Sequence, residues 1–282
     1  MKVTVVIPNY NGEKFIESCL RALMRQTSRD FKIIVVDNGS ADKSCELVMA
    51  MKKEFAGQGC GDDFLTLIRK EKNLGFCGGV NAGIKSCTTP YVILLNNDTE
   101  VFEDFIEKSL EGIERSDKIF SASPMMIQMY NKALVDNAGD AYTAVGWAFA
   151  LGMDDLVENY TKKREVFSAC AGAAIYRTDL LKKLGLFDEN HFAYLEDLDI
   201  GYRARIHGYK NMYNPSARVY HAGSGTSGSR HNVFKIKNSA RNNIYVIYKN
   251  MPVVQLLINL PFTQISSSNT DWMPPCNVFS HP

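Results

Sequence analysis

The seven cysteines of this chain include no C-x-x-C pair and stand apart from one another, at Cys19, Cys45, Cys60, Cys77, Cys87, Cys170 and Cys276. An odd, scattered set has neither the spacing of a zinc site nor the look of a disulfide framework, and reads as small apolar residues for a core. No uninterrupted apolar run reaches the ~20 residues that cross a bilayer. The best stretch, residues 253–262, is broken by Gln255, Asn259 and Pro261. The opening MKVTVVIPNY lacks the charged leader, apolar core and small-residue cleavage site of a secretory signal, so a cytoplasmic location is expected. Internal repeats are also lacking. Acidic residues are missing from Ile200 to Thr270, where Arg203, Arg205, Lys210, Arg218, Arg230, Lys235, Lys237, Arg241 and Lys249 supply nine positive charges. Residues 1–199 hold 23 basic and 30 acidic residues, so the chain is polarised although its net charge is only +1, a balance that argues against a general nucleic-acid binder.

What is present is enough apolar sequence, 45% of 282 residues, for one large core or two modest ones. The first hundred residues alternate between strand and helix periods, as a parallel sheet covered by helices does. Strands are expected at residues 3–7, 32–36, 64–68 and 91–95. Ile16, Leu20, Leu23 and Met24 mark a helix after the turn at Gly12, and Leu47 and Val48 mark a second helix capped by Ser40 or Asp42. Right-handed crossovers between such units bring the loops after the strands to one edge, where open α/β sheets bind ligands. Beyond residue 118 the spacing predicts further strands at 121–129, 166–177, 209–213 and 217–221, forming a mixed extension of the sheet. Residues 141–163 read as a long loop or flap. Residues 234–249 read as a helix mixing basic and aromatic side chains, and the stretch from 265 onward as a disordered or truncated tail.

Several acidic strand and helix ends stand out. VVDNGS puts Asp37 on the ligand edge, either accepting from a pyrimidine N–H or a ribose hydroxyl, or shaping an Asx turn. LLNND places Asp98 after an apolar strand, suited to a hard divalent cation bridging a diphosphate, or to a simple turn. NLGFCGGVNAG carries four glycines, which permit close approach of backbone to phosphate or sugar or merely build a tight connection; it is not the dinucleotide fingerprint. YLEDLDIGYR sets Glu196, Asp197 and Asp199 at the start of a helix, where acidic residues favour the helix dipole; Asp199 and Arg203 pair at i,i+4, leaving a carboxylate to take a proton. His221 ends a strand ahead of Gly223, Gly225 and Gly228, and gains a ligand's role only beside Asp98.

Taken in order, VVIPNYNG, VVDNGS, NLGFCGGVNAG, LLNNDTEV, GAAIYR, YLEDLDIGYR and VYHAGS resemble the inverting family 2 glycosyltransferases, and most nearly their rhamnosyltransferase-like branch, over residues 2–250. The resemblance implies an α/β GT-A fold, a Rossmann-like mixed sheet flanked by helices. It divides the chain into a catalytic domain at 1–229 (a nucleotide-binding half 1–118 and an acceptor-binding half 119–229), a basic and apolar helical segment at 230–264, and a tail at 265–282. By the same resemblance Pro8, Tyr10 and Asp37 form the nucleoside pocket with Asn73 and Gly75 nearby, Asn96, Asn97 and Asp98 occupy the D-x-D position, and His221 completes a site for Mn2+ or Mg2+. Asn96 departs from that pattern by removing a charge. Asp197 matches the catalytic base, with Glu196 as the other choice.

The implied activity is transfer of a sugar from a nucleotide-diphosphate donor, dTDP-rhamnose or a UDP-sugar, to a saccharide or lipid-linked acceptor in cell-surface polysaccharide or glycolipid synthesis. Lys235, Lys237, Arg241 and Lys249, interleaved with Phe234, Tyr245 and Tyr248, suggest either an anionic membrane surface as partner, which would make the protein peripheral at the inner face, or a helix docked on the catalytic domain. Two rivals differ in class. A sugar-nucleotide nucleotidyltransferase would need a basic, glycine-rich loop after the first strand, where this chain has PNYNGE, and a non-catalytic module of the same fold is kept open by Asn96.

Overall fold

The computed structural model describes residues 1–223 and 232–259. In chain order these form β1 (Val3–Asn9), α1 (Ile16–Met24), β2 (Phe31–Asp37), α2 (Ser44–Gly57), β3 (Leu65–Arg69), α3 (Gly75–Lys85), β4 (Tyr91–Leu95), β5 (Thr99–Val101), α4 (Phe105–Ile113) and β6 (Ile119–Gln128). There follow β7 (Val135–Asn137), β8 (Asp140–Tyr142), β9 (Ala148–Ala150), β10 (Arg164–Val166), β11 (Ala173–Arg177), α5 (Thr178–Lys183), α6 (Glu196–Ile206), β12 (Lys210–His221) and α7 (Val233–Asn250). One mixed sheet runs β10-β12-β6-β11-β4-β1-β2-β3, with β5 beside β12 and β7 beside β6; β8 and β9 form a separate hairpin.

The parallel strands are apolar throughout because helices cover both faces of the sheet. Val3, Val5 and Ile7 of β1, Ile33 and Val35 of β2, and Tyr91, Ile93 and Leu95 of β4 turn to the side of α1, α2 and α4. The alternate residues Val6, Ile34, Val36, Val92 and Leu94 turn to the side of α3, α5 and α6. Gly83 lets α3 lie directly on the sheet, since a Cβ there would collide with Val6.

Five expectations need correction. The glycines of NLGFCGGVNAG lie in α3 itself, which begins at Gly75, rather than in a loop ahead of a helix. In α2 neither Ser40 nor Asp42 is the capping residue, although Asp42 accepts from the Ser44 N–H at 3.1 Å. Residues 166–177 are not one strand. The chain leaves edge strand β10 after Val166, passes through a connection in which Ser168, Ala169 and Ala171 are buried, and re-enters the sheet as β11 between β6 and β4. The stretch 141–163 is more ordered than a flap, holding β9 and a 3-10 turn at Val157–Tyr160, with Tyr142 packed against Phe167 and Tyr202. The two strands expected at 209–213 and 217–221 are the halves of β12, whose register against β6 jumps between Asn214 and Arg218. Gly225, Gly228, the end of the 230–264 segment and the tail at 265–282 lie outside the described residues.

Candidate active site

The carboxyl ends of β1, β2 and β4 meet at one edge through a single asparagine. Asn9 donates from Nδ2 to Asp37 Oδ1 at 3.0 Å and to Ser44 Oγ at 2.9 Å, while its Oδ1 accepts from Asn97 Nδ2 at 2.8 Å. Asp37 is 2% exposed. Burial opposes its ionisation, but donors from Ser40 and Asn9 outweigh it and hold the carboxyl below its ordinary range. Asp37 is thus fixed as an ionised acceptor at the end of β2. Pro8 and Tyr10 flank Asn9 and are half-buried. Asn73 is exposed and accepts through Oδ1 from the Gly75 N–H at 2.8 Å, and Gly75 O accepts from Asn38 Nδ2 at 2.9 Å. Gly75 needs to be glycine, with φ +73° and the Phe192 carbonyl where its Cβ would stand. Asn97 is buried and spends its amide on Asn9, whereas Asn96 is only half-buried.

Asp98, 5% exposed, meets His221 across the sheet. β12 runs antiparallel to β5 with His221 opposite Thr99, and the Ala222 N–H donates to Asp98 O at 2.9 Å. His221 Nε2 lies 3.3 Å from Asp98 Oδ1, and its Nδ1 lies 2.8 Å from Asp136 Oδ2. Burial would lower the imidazole pKa, yet the two carboxylates raise it to about 10. Asp136, absent from the sequence reading, therefore holds the ring from behind.

The acidic start of α6 lies beside the same loop. Asp197 accepts from the Ala171 N–H at 3.2 Å and from the Leu198 N–H at 2.8 Å. Ala171 is followed by Gly172, whose carbonyl accepts from the Asn96 N–H at 2.8 Å, so a short run of backbone joins Asp197 to the strand end that carries Asp98. Burial pushes the Asp197 carboxyl up, and its backbone donors resist that push. Glu196 is 7% exposed, its Oε2 has no partner, and burial with the charge of Asp197 drives it well above its ordinary value. Asp140 is a third member, accepting from Asn137 at 2.9 Å and Ser168 at 3.1 Å and pushed by burial and then by Asp197 to about 8. Of the three, Asp197 has a backbone N–H donor on each carboxylate oxygen, which favours its charged form.

The structure thus brings Asp98 and His221 into contact, joins Asp37 to their strand end through Asn9 and Asn97, and joins Asp197 to it through Ala171 and Gly172. Asp136 and Asp140 were missed. Their only signal was two carboxylates flanking N-A-G in VDNAGD, a stretch without periodicity. Concavities of about 390 and 510 Å³ elsewhere, one lined by Asp188, Arg203 and Lys249 and the other by Arg25, Phe102 and Arg218, contain none of these groups. Because the His221 pKa is raised on folding, its contribution to stability is complete below about 6.5 and is lost as the pH climbs through about 10. In EDTA, His221→Gln is expected to flatten the pH dependence of the urea midpoint across that window; a profile unchanged by the substitution would show that the ion pairs carry no such linkage.

A family model described as Glycosyl transferase family 2 matches residues 4–185. Glycosyltransferase GlyG of Streptococcus pneumoniae serotype 4 is 28% identical over 198 residues, 68% of this chain and 60% of GlyG. The chain spans less than two thirds of the length of the first curated relatives it matches, GlyG among them. The crystal structure of GalNAc-T7 with UDP, GalNAc and Mn2+ aligns with a TM-score of 0.68 and 16% identity, over 88% of this chain and 48% of that one. S. aureus TarS 1-349 in complex with UDP-GlcNAc aligns with a TM-score of 0.62 and 18% identity, over 95% of this chain and 73% of that one. At such identities the likeness is one of fold, and the fold is GT-A. With the matched region running from the first strand through α5, this chain belongs to glycosyl transferase family 2.

Proposed function

We propose that the protein is an inverting glycosyltransferase in which Asp197 deprotonates an acceptor hydroxyl as that oxygen attacks the anomeric carbon of a nucleoside-diphosphate sugar. Family membership favours this over the nucleotidyltransferase alternative. The observation that carries it is the contrast within the carboxylate pair: both Asp197 oxygens accept backbone N–H groups, while Glu196, which also has backbone donors, leaves Oε2 buried without a partner. A general base must be ionised and must reach the cleft, and Asp197 sits half-buried one short backbone run from the strand end that carries Asp98. The bond formed joins acceptor oxygen to the anomeric carbon, the bond broken releases the nucleoside diphosphate, and the proton passes to Asp197.

A divalent cation fits the donor set of Asp98 and His221, a carboxylate and an imidazole facing each other with Asp136 on the far ring nitrogen. Among the described residues no three His, Cys, Asp or Glu side chains form a metal cluster. Bound there, Mn2+ or Mg2+ would neutralise charge on the leaving diphosphate. Asn96 supplies an amide where a second carboxylate would stand. Asp197→Asn is expected to lower turnover by about 10²- to 10⁴-fold with donor-induced stabilisation retained. Glu196→Gln, which copies a protonated carboxyl, should keep most activity. Equal loss in both variants would count against assigning the base to Asp197.

The donor's base is read by Asp37, an ionised acceptor suited to the N3–H of uracil or thymine. UDP and dTDP are expected to raise Tm more than CDP, whose N3 bears no hydrogen, and nucleotide sugars in the same panel separate dTDP-rhamnose, the donor of the rhamnosyltransferase-like reading, from a UDP-sugar. Equal shifts with all three nucleotides would remove Asp37 from base recognition.

For the acceptor we favour a saccharide or lipid-linked hydroxyl near an anionic bilayer. Ile244, Tyr248, Val253, Val254, Leu257 and Ile258 are exposed in a part of the chain that has basic but no acidic residues. Arg241 and Lys249 face inward to carbonyls and carboxylates and Lys235 lies over the Tyr194 ring, so of these four basic residues Lys237 is the exposed one. No helix among the described residues is long and apolar enough to cross a membrane. Pelleting with anionic but not neutral liposomes is the expected result; no lipid-dependent pelleting would end the membrane reading.

A further inference from the structure

The backbone that delivers Glu196 and Asp197 is unusual. Phe192, Tyr194 and Leu195 have φ values of +62°, +74° and +63°, and none is glycine. Side chains rarely adopt such conformations because Cβ crowds the backbone, so surrounding contacts must enforce them. The contacts come from two sides. On the donor side, Phe192 O accepts from the Cys77 N–H at 3.2 Å, in the first turn of α3. On the other side stands Asn242 of α7, fully buried. Its Nδ2 lies 2.9 Å from His191 O, 2.9 Å from Ala193 O and 2.7 Å from Tyr194 O. Arg241 Nη2 adds bonds to Asn190 O at 2.8 Å and His191 O at 3.0 Å, and Arg241 Nε donates to Asn242 Oδ1 at 3.0 Å, which turns the amide nitrogen toward the loop. The far end of α7 grips α6 itself, with Asn250 Nδ2 on Asp199 Oδ1 at 2.8 Å and Lys249 Nζ on Asp199 Oδ2 at 3.0 Å.

We propose that Asn242 is a positioning residue for the base: its amide gathers the carbonyls of His191, Ala193 and Tyr194 and so holds the left-handed step at Tyr194 and Leu195 from which α6 starts. With the backbone turned this way, Asp197 accepts from the Ala171 N–H. The inference rests on Asp197 as base but concerns a side chain outside the stretch matched to the family, which ends at residue 185. Asn242 touches no reacting atom, and its effect passes through the loop.

The test compares wild type, D197N, N242A, N242D and the double variant N242A/L195G, using the nucleotide sugar that gives the largest thermal shift. N242A and N242D, the latter isosteric but lacking the donor, are expected to lower kcat by about 100-fold, as misplacement of a catalytic group by about 1 Å does. Donor KM should stay within about twofold, because the interaction lost matters in the transition state. Glycine accepts positive φ without a Cβ clash, so L195G in the N242A background is expected to recover about tenfold of the loss. That recovery is a readout a general structural role would not give. Unchanged kcat in N242A, equal damage to kcat and donor KM, failure of both single variants to fold, or no recovery in the double variant would each overturn the proposal. Wild-type turnover in D197N would instead sink the base assignment, whatever Asn242 does.

Discussion

The pairing of β12 with the three-residue strand β5 is the constraint on which the active edge depends. Parallel strands deliver their loops to one edge by topology alone, but a histidine from the far end of the chain has no reason to arrive there unless a ladder carries it. The opposition of His221 to Thr99, locked by the Ala222 N–H on Asp98 O, sets imidazole beside carboxylate through backbone bonds. Residues 215–217 bulge out of β12, and the strand resumes its pairing with β6 at Arg218. A bulge of this kind re-aims the side chains that follow it.

Around that frame the charges are sorted by their donors. Asp37 and Asp197 accept backbone or amide N–H groups on both oxygens, whereas buried Glu196 leaves Oε2 without a donor. His221 stands between Asp98 and Asp136 and takes its charge from them. In such a position a proton and a divalent cation compete for Nε2.

The parallel half of the sheet was legible because its strands are buried on both faces and read as short apolar runs closed by polar turns, as at Val35–Val36–Asp37 and Leu94–Leu95–Asn96. Asp98, Asp197 and His221 were legible as acidic or imidazole groups at element ends. Less could be read where tertiary contacts replace periodicity. Residues 167–172 read in sequence as part of one strand from 166 to 177, yet they form the connection that carries the Ala171 N–H and the Gly172 carbonyl to the site. The glycines after Asn73 look like loop, but α3 uses them to approach Val6, Asn38 and the Phe192 carbonyl. Asp136 and Asp140 owe their places to β7, β8 and the contact with Ser168, none of which leaves a period in sequence.

The clasp between α7 and the loop before α6 bears on how such enzymes exchange parts. The family match stops at residue 185, short of Asp197, and the loop and helix that carry Asp197 are bonded by side chains further along the chain, Arg241, Asn242, Lys249 and Asn250 among them. A chimaera with its junction after α5, or after β12, would join one enzyme's carboxylates to another's helix, and the inherited loop would relax toward an ordinary right-handed turn. Transplanting this chemistry intact means moving the polypeptide through Asn250 as a single block.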